Sequence, residues 1–463
     1  MKDSKDLIGR NVHFVGIGGA GMSGIARIMI AIGAHVSGSD LKLNTVTDNL
    51  ATLGATIYQG HSADNVKSAE LLIVSSAIDE RNPEVKRALE EKIPIISRAA
   101  ALAILMNGKR SVAVAGTHGK TTTTSMLTVA LQHAAVDPSF AIGGMINSSG
   151  TNAYLGTGDI FVAEADESDG SFLVYQPLGA IITNIELDHV DNFGTLAEIE
   201  KLFLDFVDSI RSGGFIVACA DDAGVKTLLS SISRTDLQII TYGKEDADYV
   251  ISRIVLEPTR SFARVSHKGS VIGELELSVV GEHNVFNAVA ALAAGAALGL
   301  AAPILMDGLT AFSGSRRRFE LKGESKGVKV IDDYGHHPTE IRVTLAAARR
   351  YAQGGRVIVL FQPHRYTRTE AFAEEFADAL MAADATFLLE VYAASETPIP
   401  GVSSLRIAQS MQKRGYEDVL FEPSMLDAVA AITALAEPGD LIITMGAGDV
   451  SSIAPVIVKS LAE

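Results

Sequence analysis

Cysteine is almost missing from this 463-residue chain: Cys219 stands alone, so no disulfide can form within one copy. Stability must therefore come from burial, and a reducing compartment fits. Cys219 lies in an apolar, strand-like run, where a small core residue is a plainer reading than a nucleophile. Tryptophan is absent and aromatic residues make up 6% of the chain. Positive charge is short as well, with 39 lysines and arginines against 55 acids and a formal net charge of −16. Such an anionic body argues against nucleic-acid or membrane-surface binding. Anionic ligands must be held by local clusters of Lys, Arg and backbone N–H groups. No apolar run reaches membrane length, and the opening Met1-Lys-Asp-Ser-Lys-Asp6 lacks the apolar core of a secretion signal. A cytoplasmic protein without nucleic-acid or membrane partners is expected.

Glycine, by contrast, is plentiful at 42 residues, which suits a chain full of strand-to-helix turns. The length exceeds what one core supports, so roughly two to four domains are expected.

The densest chemistry lies in Ser111-Val-Ala-Val-Ala-Gly-Thr-His-Gly-Lys-Thr-Thr-Thr-Thr124. Val112 to Ala115 reads as a buried strand, Gly116 and Gly119 bracket a tight turn, and Met126 to Leu131 opens a helical pattern. Strand, loop and helix N-terminus aim N–H groups and a helix dipole at an anion. Lys120 adds a charge for a terminal phosphate, and the Thr121 hydroxyl can join the oxygen shell of Mg²⁺. The usual G-x-x-x-x-G-K-[ST] pattern is imperfect, because Val114 replaces the first glycine. A glycine-punctuated turn with a surface lysine is the bland alternative; ATP is the expected ligand.

Upstream, the strand Val12 to Val15 leads into Gly16-Ile-Gly18-Gly19-Ala20-Gly21-Met22-Ser23-Gly24 and a helical pattern through Ile25, Ile28, Met29 and Ile32. A second strand, His35 to Ser37, ends at Asp40. This is the βαβ dinucleotide fingerprint, with an acid placed for a ribose hydroxyl. Alone it suggests NAD; physically it asks only for a diphosphate-bearing nucleotide, and UDP serves as well. Further strands are expected at Leu71 to Ser75, ending in Ser75-Ser76, and at Ile93 to Ile96, leading to Arg98. For His61 and Arg98 a sugar or phosphate contact and a plain surface role are equally served.

Farther on, Ile160-Phe-Val-Ala-Glu164-Ala-Asp166-Glu-Ser-Asp169 and Ala180-Ile-Ile-Thr-Asn184-Ile-Glu-Leu-Asp188-His189 are buried strands delivering polar groups at their C-terminal ends. Spacing alone does not make His189 a metal ligand, since magnesium prefers oxygen. Alternating segments from Tyr249 to Val280 read as an antiparallel meander. Gly281-Glu-His283-Asn284-Val-Phe-Asn287 opens an alanine-rich helix with both asparagines on one face, where a carboxamide can pair with adenine and Asn284 can also cap the helix. Arg316-Arg317-Arg318 is either a solvated cluster or a clamp on a transferring phosphate. The last third alternates strands and helices again, with Asp332-Asp-Tyr334-Gly-His336-His-Pro338 and Gln362-Pro-His364-Arg365-Tyr-Thr-Arg368 after two of the strands. Arg365 and Arg368 suit capture of a small carboxylate.

Taken together, these stretches, in this order, make the chain similar to the Mur ligases of bacterial cell-wall synthesis. The resemblance implies an α/β fold of three domains. Residues 1–107 form a Rossmann-like UDP-sugar-binding domain. Residues 108–312 form a P-loop ATPase-type central domain with a small antiparallel sheet. Residues 313–463 form a doubly wound, Rossmann-like amino-acid-binding domain. It implies ATP and Mg²⁺ (Mn²⁺ as a substitute) and ligation of L-alanine to UDP-N-acetylmuramate, by a monomer or weak homodimer. Gly16, Gly18, Gly19, Ala20, Gly21, Met22, Ser23, Asp40, Ser75, Ser76 and Arg98 would serve the UDP-sugar. Gly116, Thr117, His118, Gly119, Lys120, Thr121, Thr122, His283, Asn284, Asn287, Arg318 and Asp332 would serve ATP. Thr121, Glu164 and His189 would hold metal; Lys120, Glu164, His189 and Arg318 would be catalytic; Tyr334, His336, His364, Arg365 and Arg368 would form the amino-acid pocket. Several relatives carry a carbamylated lysine, but Lys201, the only nearby lysine, has a spacing that does not fit, and no modification is predicted. The rival readings are an NAD-dependent oxidoreductase, a non-catalytic nucleotide switch, and a ligase for another amino acid or a peptide.

Overall fold

In the computed structural model, residues 4–75 and 78–463 are described; Ser76 lies outside them. The first sheet contains β1 (Asn11–Val15), β2 (His35–Asp40), β3 (Thr56–Gln59), β4 (Leu71–Val74) and β5 (Ile95–Ser97). Its order, β3-β2-β1-β4-β5, is all parallel and matches the nucleotide-binding order expected of a βαβ fingerprint. The switch point lies between β1 and β4, beside the first glycine loop.

The second sheet runs from β6 (Arg110–Ala115), β7 (Ser139–Ala141), β8 (Ala153–Tyr154) and β9 (Ile160–Glu164) to β10 (Gly179–Ile182), β11 (Phe215–Cys219) and β12 (Gln238–Gly243). It continues into β13 (Tyr249–Leu256), β14 (Ser261–His267) and β15 (Ser270–Leu277), in the order β15-β14-β13-β12-β11-β10-β6-β9-β7-β8. β6 is central, between β10 and β9, and Val112 to Ala115 are completely buried. A strand covered on both faces reads as a continuous apolar run, as this one does. β14 and β15 pair antiparallel, as the alternating pattern predicts.

The third sheet holds β16 (Glu320–Ser325), β17 (Val328–Asp333), β18 (Val357–Phe361), β19 (Ala385–Leu388), β20 (Val419–Phe421) and β21 (Leu441–Met445), ordered β16-β17-β21-β18-β19-β20. All neighbours are parallel except the edge pair β16–β17. Apolar side chains pack on both faces: Phe361, Phe376 and Met411 on one, Leu360, Ile432 and Ile457 on the other.

Two compact units result. One comprises Met1–Ile185, Glu200–Val250 and Ala288–Leu309; the other Glu186–Ile199, Ile251–Asn287 and Thr310–Glu463. Among the described residues, no helix is long and apolar enough to cross a membrane.

Candidate active site

The second glycine loop is built where β6 ends. β6 continues through Ala115, so Val114, in place of the missing first glycine, is a strand residue pairing with Ile181 and Glu164. The turn itself spans Gly116 to Gly119. Gly116 has φ +130°, and a Cβ there would sit 2.1 Å from the Thr183 hydroxyl, so no other residue fits. Thr183 Oγ1 donates to His118 O (2.6 Å), while Asn184 accepts from His118 N (2.8 Å) and donates to His118 O (3.1 Å). These two residues staple the loop to the end of β10.

The helix begins at Lys120, earlier than the apolar pattern from Met126 suggests, and runs to His133. Its hydroxyl-rich first turns are buried, and several of their side chains find acceptors within the helix itself. Thr124, Ser125 and Thr128 donate to the carbonyls of Lys120, Thr121 and Thr124 at 2.7, 2.7 and 2.8 Å. A run that looks like solvated polar sequence is thus a core helix.

Lys120 Nζ lies over the loop, donating to Gly116 O (2.7 Å), Thr117 O (3.0 Å) and Glu167 Oε1 (3.0 Å). Burial alone would lower the ammonium pKa, but Glu167, then Asp166 and Glu164, outweigh it and keep Lys120 charged. Glu167 is a residue the sequence reading missed; its only signal was membership of the acidic run after β9. Thr121 Oγ1 donates to Glu164 Oε1 at 3.0 Å, and Gly143 N donates to Glu164 Oε2 at 2.7 Å. Two of the three predicted metal ligands therefore present adjacent oxygens, a donor set that fits Mg²⁺.

The first glycine loop has a different chemistry. The helix Ala20–Ile32 starts with no side-chain cap, so N–H groups of its first turn have no intrahelical partner. Asp40 does not stand clear for a ribose: its Oδ2 accepts from Gly18 N at 2.9 Å and holds the loop. Met22 is buried, and Ser23 donates its hydroxyl to Ala20 O (3.1 Å), so both shape the helix start. Ser75 Oγ lies beside Gly16, and the Arg98 side chain packs over Gly21, where a Cβ would meet its guanidinium at 3.0 Å. Arg98 thus supplies the cation that the loop lacks. Asn152, which the sequence did not single out, donates to Ala20 O at 3.1 Å.

The second unit gathers the residues expected to hold the amino acid at the C-terminal ends of β17 and β18. Tyr334 lies under the guanidinium groups of both Arg317 and Arg318, each 4.9 Å from the ring centroid. His336 packs edge-on to Tyr334 (5.2 Å) and to His364 (5.8 Å). Burial, chiefly, pushes His336 down to about 3 and His364 to about 4, so both imidazoles are neutral at pH 7. Arg365 and Arg368 do bind carboxylates here, but the chain's own. Arg368 Nε and Nη2 converge on Asp188 Oδ1 (2.9 and 2.7 Å), and Arg365 pairs with Asp191. Burial resists ionisation of Asp188, yet Arg368 holds it well below the usual carboxylate range. His189 follows with φ +51° and belongs to the second unit.

Asn287 Nδ2 meets Asn284 Oδ1 at 3.4 Å, which confirms a shared face. Asn284 does not cap the helix, however: it sits inside Glu282–Ala297 and donates back to Val280 O (2.7 Å). Burial first, then Arg318, lowers His283 to about 4. Of the three arginines, Arg316 is exposed and Arg317 is an internal latch, donating to Gly446 O (2.6 Å) and Gly448 O (3.1 Å). Arg318 lies 3.6 Å from Glu340. Asp332 corrects an expectation: it is fully buried, accepts from Thr444 Oγ1 (2.7 Å) and faces Arg317 at 3.5 Å, so in this structure it offers ATP no surface.

Fold and site define a multi-sheet α/β nucleotide-binding protein with one lysine-bearing phosphate loop and one uncharged glycine loop. Family models agree: the Mur ligase family catalytic domain matches residues 11–110, the Mur ligase middle domain 114–295, and the Mur ligase glutamate ligase domain 317–448. The chain belongs to the Mur ligase family. It is 49% identical to a UDP-N-acetylmuramate–L-alanine ligase of Saccharopolyspora erythraea, covering 97% of this chain and 93% of that protein. It is 43% identical to one of Desulforapulum autotrophicum, covering 98% and 99%. The crystal structure of the UDP-N-acetylmuramate-alanine ligase from Thermotoga maritima superposes with TM-score 0.82 at 31% identity, covering 97% and 98%. A murein peptide ligase from Psychrobacter arcticus gives 0.74 at 27%, covering 98% and 99%.

Proposed function

We propose that this chain joins L-alanine to the lactyl carboxylate of UDP-N-acetylmuramate, using ATP and releasing ADP and phosphate. The identity of the substrates rests on what the near-full-length relatives are named for. The observation that carries the chemistry is the Lys120 cradle beside the Thr121–Glu164 oxygen pair.

A carboxylate does not accept an amine at neutral pH, because oxide would have to leave. The carboxylate oxygen therefore attacks the γ-phosphorus of ATP, ADP departs, and an acyl phosphate forms. The neutral amine of alanine then attacks the acyl carbon, and phosphate leaves with the carbon–oxygen bond electrons and takes up the proton that the nitrogen loses. Lys120 and the loop residues Gly116, Thr117, His118, Gly119, Thr121 and Thr122 hold the phosphates of ATP, the N–H groups of Thr117 and His118 serving to brace the loop on Asn184. Thr121 would hold one Mg²⁺, or Mn²⁺ in its stead, and Glu164 and His189 would hold a second, the ions supplying charge neutralisation for phosphoryl transfer. Asn284, Asn287 and His283 take adenine, and Arg318 takes phosphate. The loop Gly16–Ser23 with Ser75 and Arg98 takes the UDP-sugar. Tyr334, His336, His364, Arg365 and Arg368 take alanine, whose carboxylate replaces Asp188 or Asp191 on the arginines. In this reading residues 1–107, 108–312 and 313–463 serve sugar nucleotide, ATP and amino acid in turn. The protein works in the cytoplasm as a monomer or weak homodimer.

The test is phosphate release with UDP-N-acetylmuramate, Mg²⁺, ATP and, separately, alanine, glycine, serine or a tripeptide. Release that is greatest with alanine is expected. Release only with the peptide would move the chain to the peptide-adding branch, and none with any acceptor would sink the reading.

A further inference from the structure

Arg365 (φ +71°) and two residues of the segment that braces it, Ala394 (+47°) and Ser395 (+73°), have left-handed backbones. Such conformations are costly for a residue with a Cβ and persist where the surroundings over-determine them. Here the over-determination is visible. Tyr392 N donates to Pro363 O, and Arg365 N donates to Tyr392 O, both at 2.8 Å. The Tyr392 ring stacks on His364 at 5.6 Å and 14°. From the other end of the same segment, Glu396 Oε2 accepts from Tyr366 N (2.6 Å) and Thr367 N (3.2 Å). Its Oε1 accepts from Thr367 Oγ1 (2.7 Å) and stands 3.8 Å from Arg365 Nη1.

We propose that Glu396 is a positioning residue for the amino-acid substrate, acting through Arg365. This rests on the reading of that pocket as the alanine site. By occupying the open N–H groups of Tyr366 and Thr367, Glu396 removes the backbone donors that would compete for an incoming carboxylate. The substrate carboxylate is then directed to the guanidinium groups. By fixing the turn at Arg365 from both sides, residues 392–396 also set where that guanidinium lies. Neither Glu396 nor Tyr392 stands in a motif that the sequence pointed to; the tertiary structure alone brings them to the arginine turn.

Initial rates with each substrate varied in turn test this, for the wild type, Glu396→Ala, Glu396→Gln, Arg365→Ala and the Glu396→Ala/Arg365→Ala pair. Glu396→Ala should raise KM for alanine about tenfold, with kcat within about twofold and KM for ATP and the UDP-sugar unchanged. Glu396→Gln, which keeps an acceptor oxygen, should recover part of the loss. In the Arg365→Ala background the Glu396 change should add less than about twofold, because its route to the substrate is gone. Effects that multiply, or KM values that rise together for all three substrates, would overturn the proposal and leave Glu396 a fold residue. Should Glu396→Ala fail to fold, an unchanged alanine KM in Glu396→Gln, at wild-type melting temperature, would overturn it equally. A wild-type enzyme that releases no phosphate with alanine would instead overturn the functional reading and this inference with it.

Discussion

The two glycine loops of the first unit share a local design and differ in where their charge comes from. Both leave a parallel strand, turn on glycines and open a helix, at Ala20 and at Lys120. In the second loop the cation is the first helical residue, and an acid from the neighbouring strand β9 touches the hydroxyl beside it. In the first loop a carboxylate, Asp40, occupies Gly18 N, and the cation arrives on a separate helix through Arg98. A helix N-terminus supplies the same partial positive charge in both places. In the proposed function, the lysine and the oxygen pair are what separate a loop that transfers a phosphoryl group from one that holds a diphosphate.

Removing the lysine tests that contrast most severely. Lys120→Ala should lower phosphate release by about a thousandfold or more, while UDP-sugar binding measured by calorimetry stays within about twofold. If both fall together, the loops are not separable. Glu164→Gln should cost about a hundredfold in kcat and raise the Mg²⁺ concentration needed for half-maximal rate, since it weakens one side of the oxygen pair. An unchanged metal requirement would argue against Glu164 as a ligand.

The first loop can be probed through what supports it. Ser39 O accepts from Gly16 N (2.8 Å) and Ile17 N (3.0 Å), and Ser39 Oγ donates to the fully buried Glu84 at 2.6 Å. Burial raises the Glu84 pKa, but His13, 3.7 Å away, and hydrogen bonds from Ser39 and Asn65 overcome this and bring it down to about 2 from an ordinary 4.5. Because the folded value lies below the unfolded one, this stabilisation is present in full above pH 4.5 and is lost as pH falls towards 2. Glu84→Gln should therefore flatten the acid limb of the melting profile, by about 2 kcal/mol between those limits. An acid limb identical to wild type would contradict it. The smallest effect is expected from Arg98→Ala: about a tenfold rise in KM for the UDP-sugar with KM for ATP unchanged. A change in the ATP term instead would erase the division of labour between the loops.

How far the sequence reached depends on the kind of claim. The strand–glycine–helix junctions were legible because their requirements are local: an apolar run, a residue tolerating positive φ, an uncapped helix start. The helix after the second loop starts at Lys120, ahead of the apolar pattern from Met126, because Thr124 and Ser125 can be buried by donating to carbonyls one turn back. Asp40 was expected at a ribose and is found on Gly18 N, since a short carboxylate takes the nearest donor. Among the arginines, residue type gave no means of telling the latch, Arg317, from Arg318: both stack on Tyr334, and only the fold sets Gly446 O beside the one and Glu340 beside the other.

By itself the sequence determined the three sheets, their mostly parallel order and the identities of the loop residues, for these follow from hydrophobic period and turn chemistry over a few neighbouring positions. Only the tertiary structure decided the partners: Glu167 on Lys120, Asp188 on Arg368, Glu396 on the turn at Arg365. Each pair joins residues tens to hundreds of positions apart. Coulomb attraction and hydrogen bonding depend on distance in space, and that distance exists only once the sheets have packed.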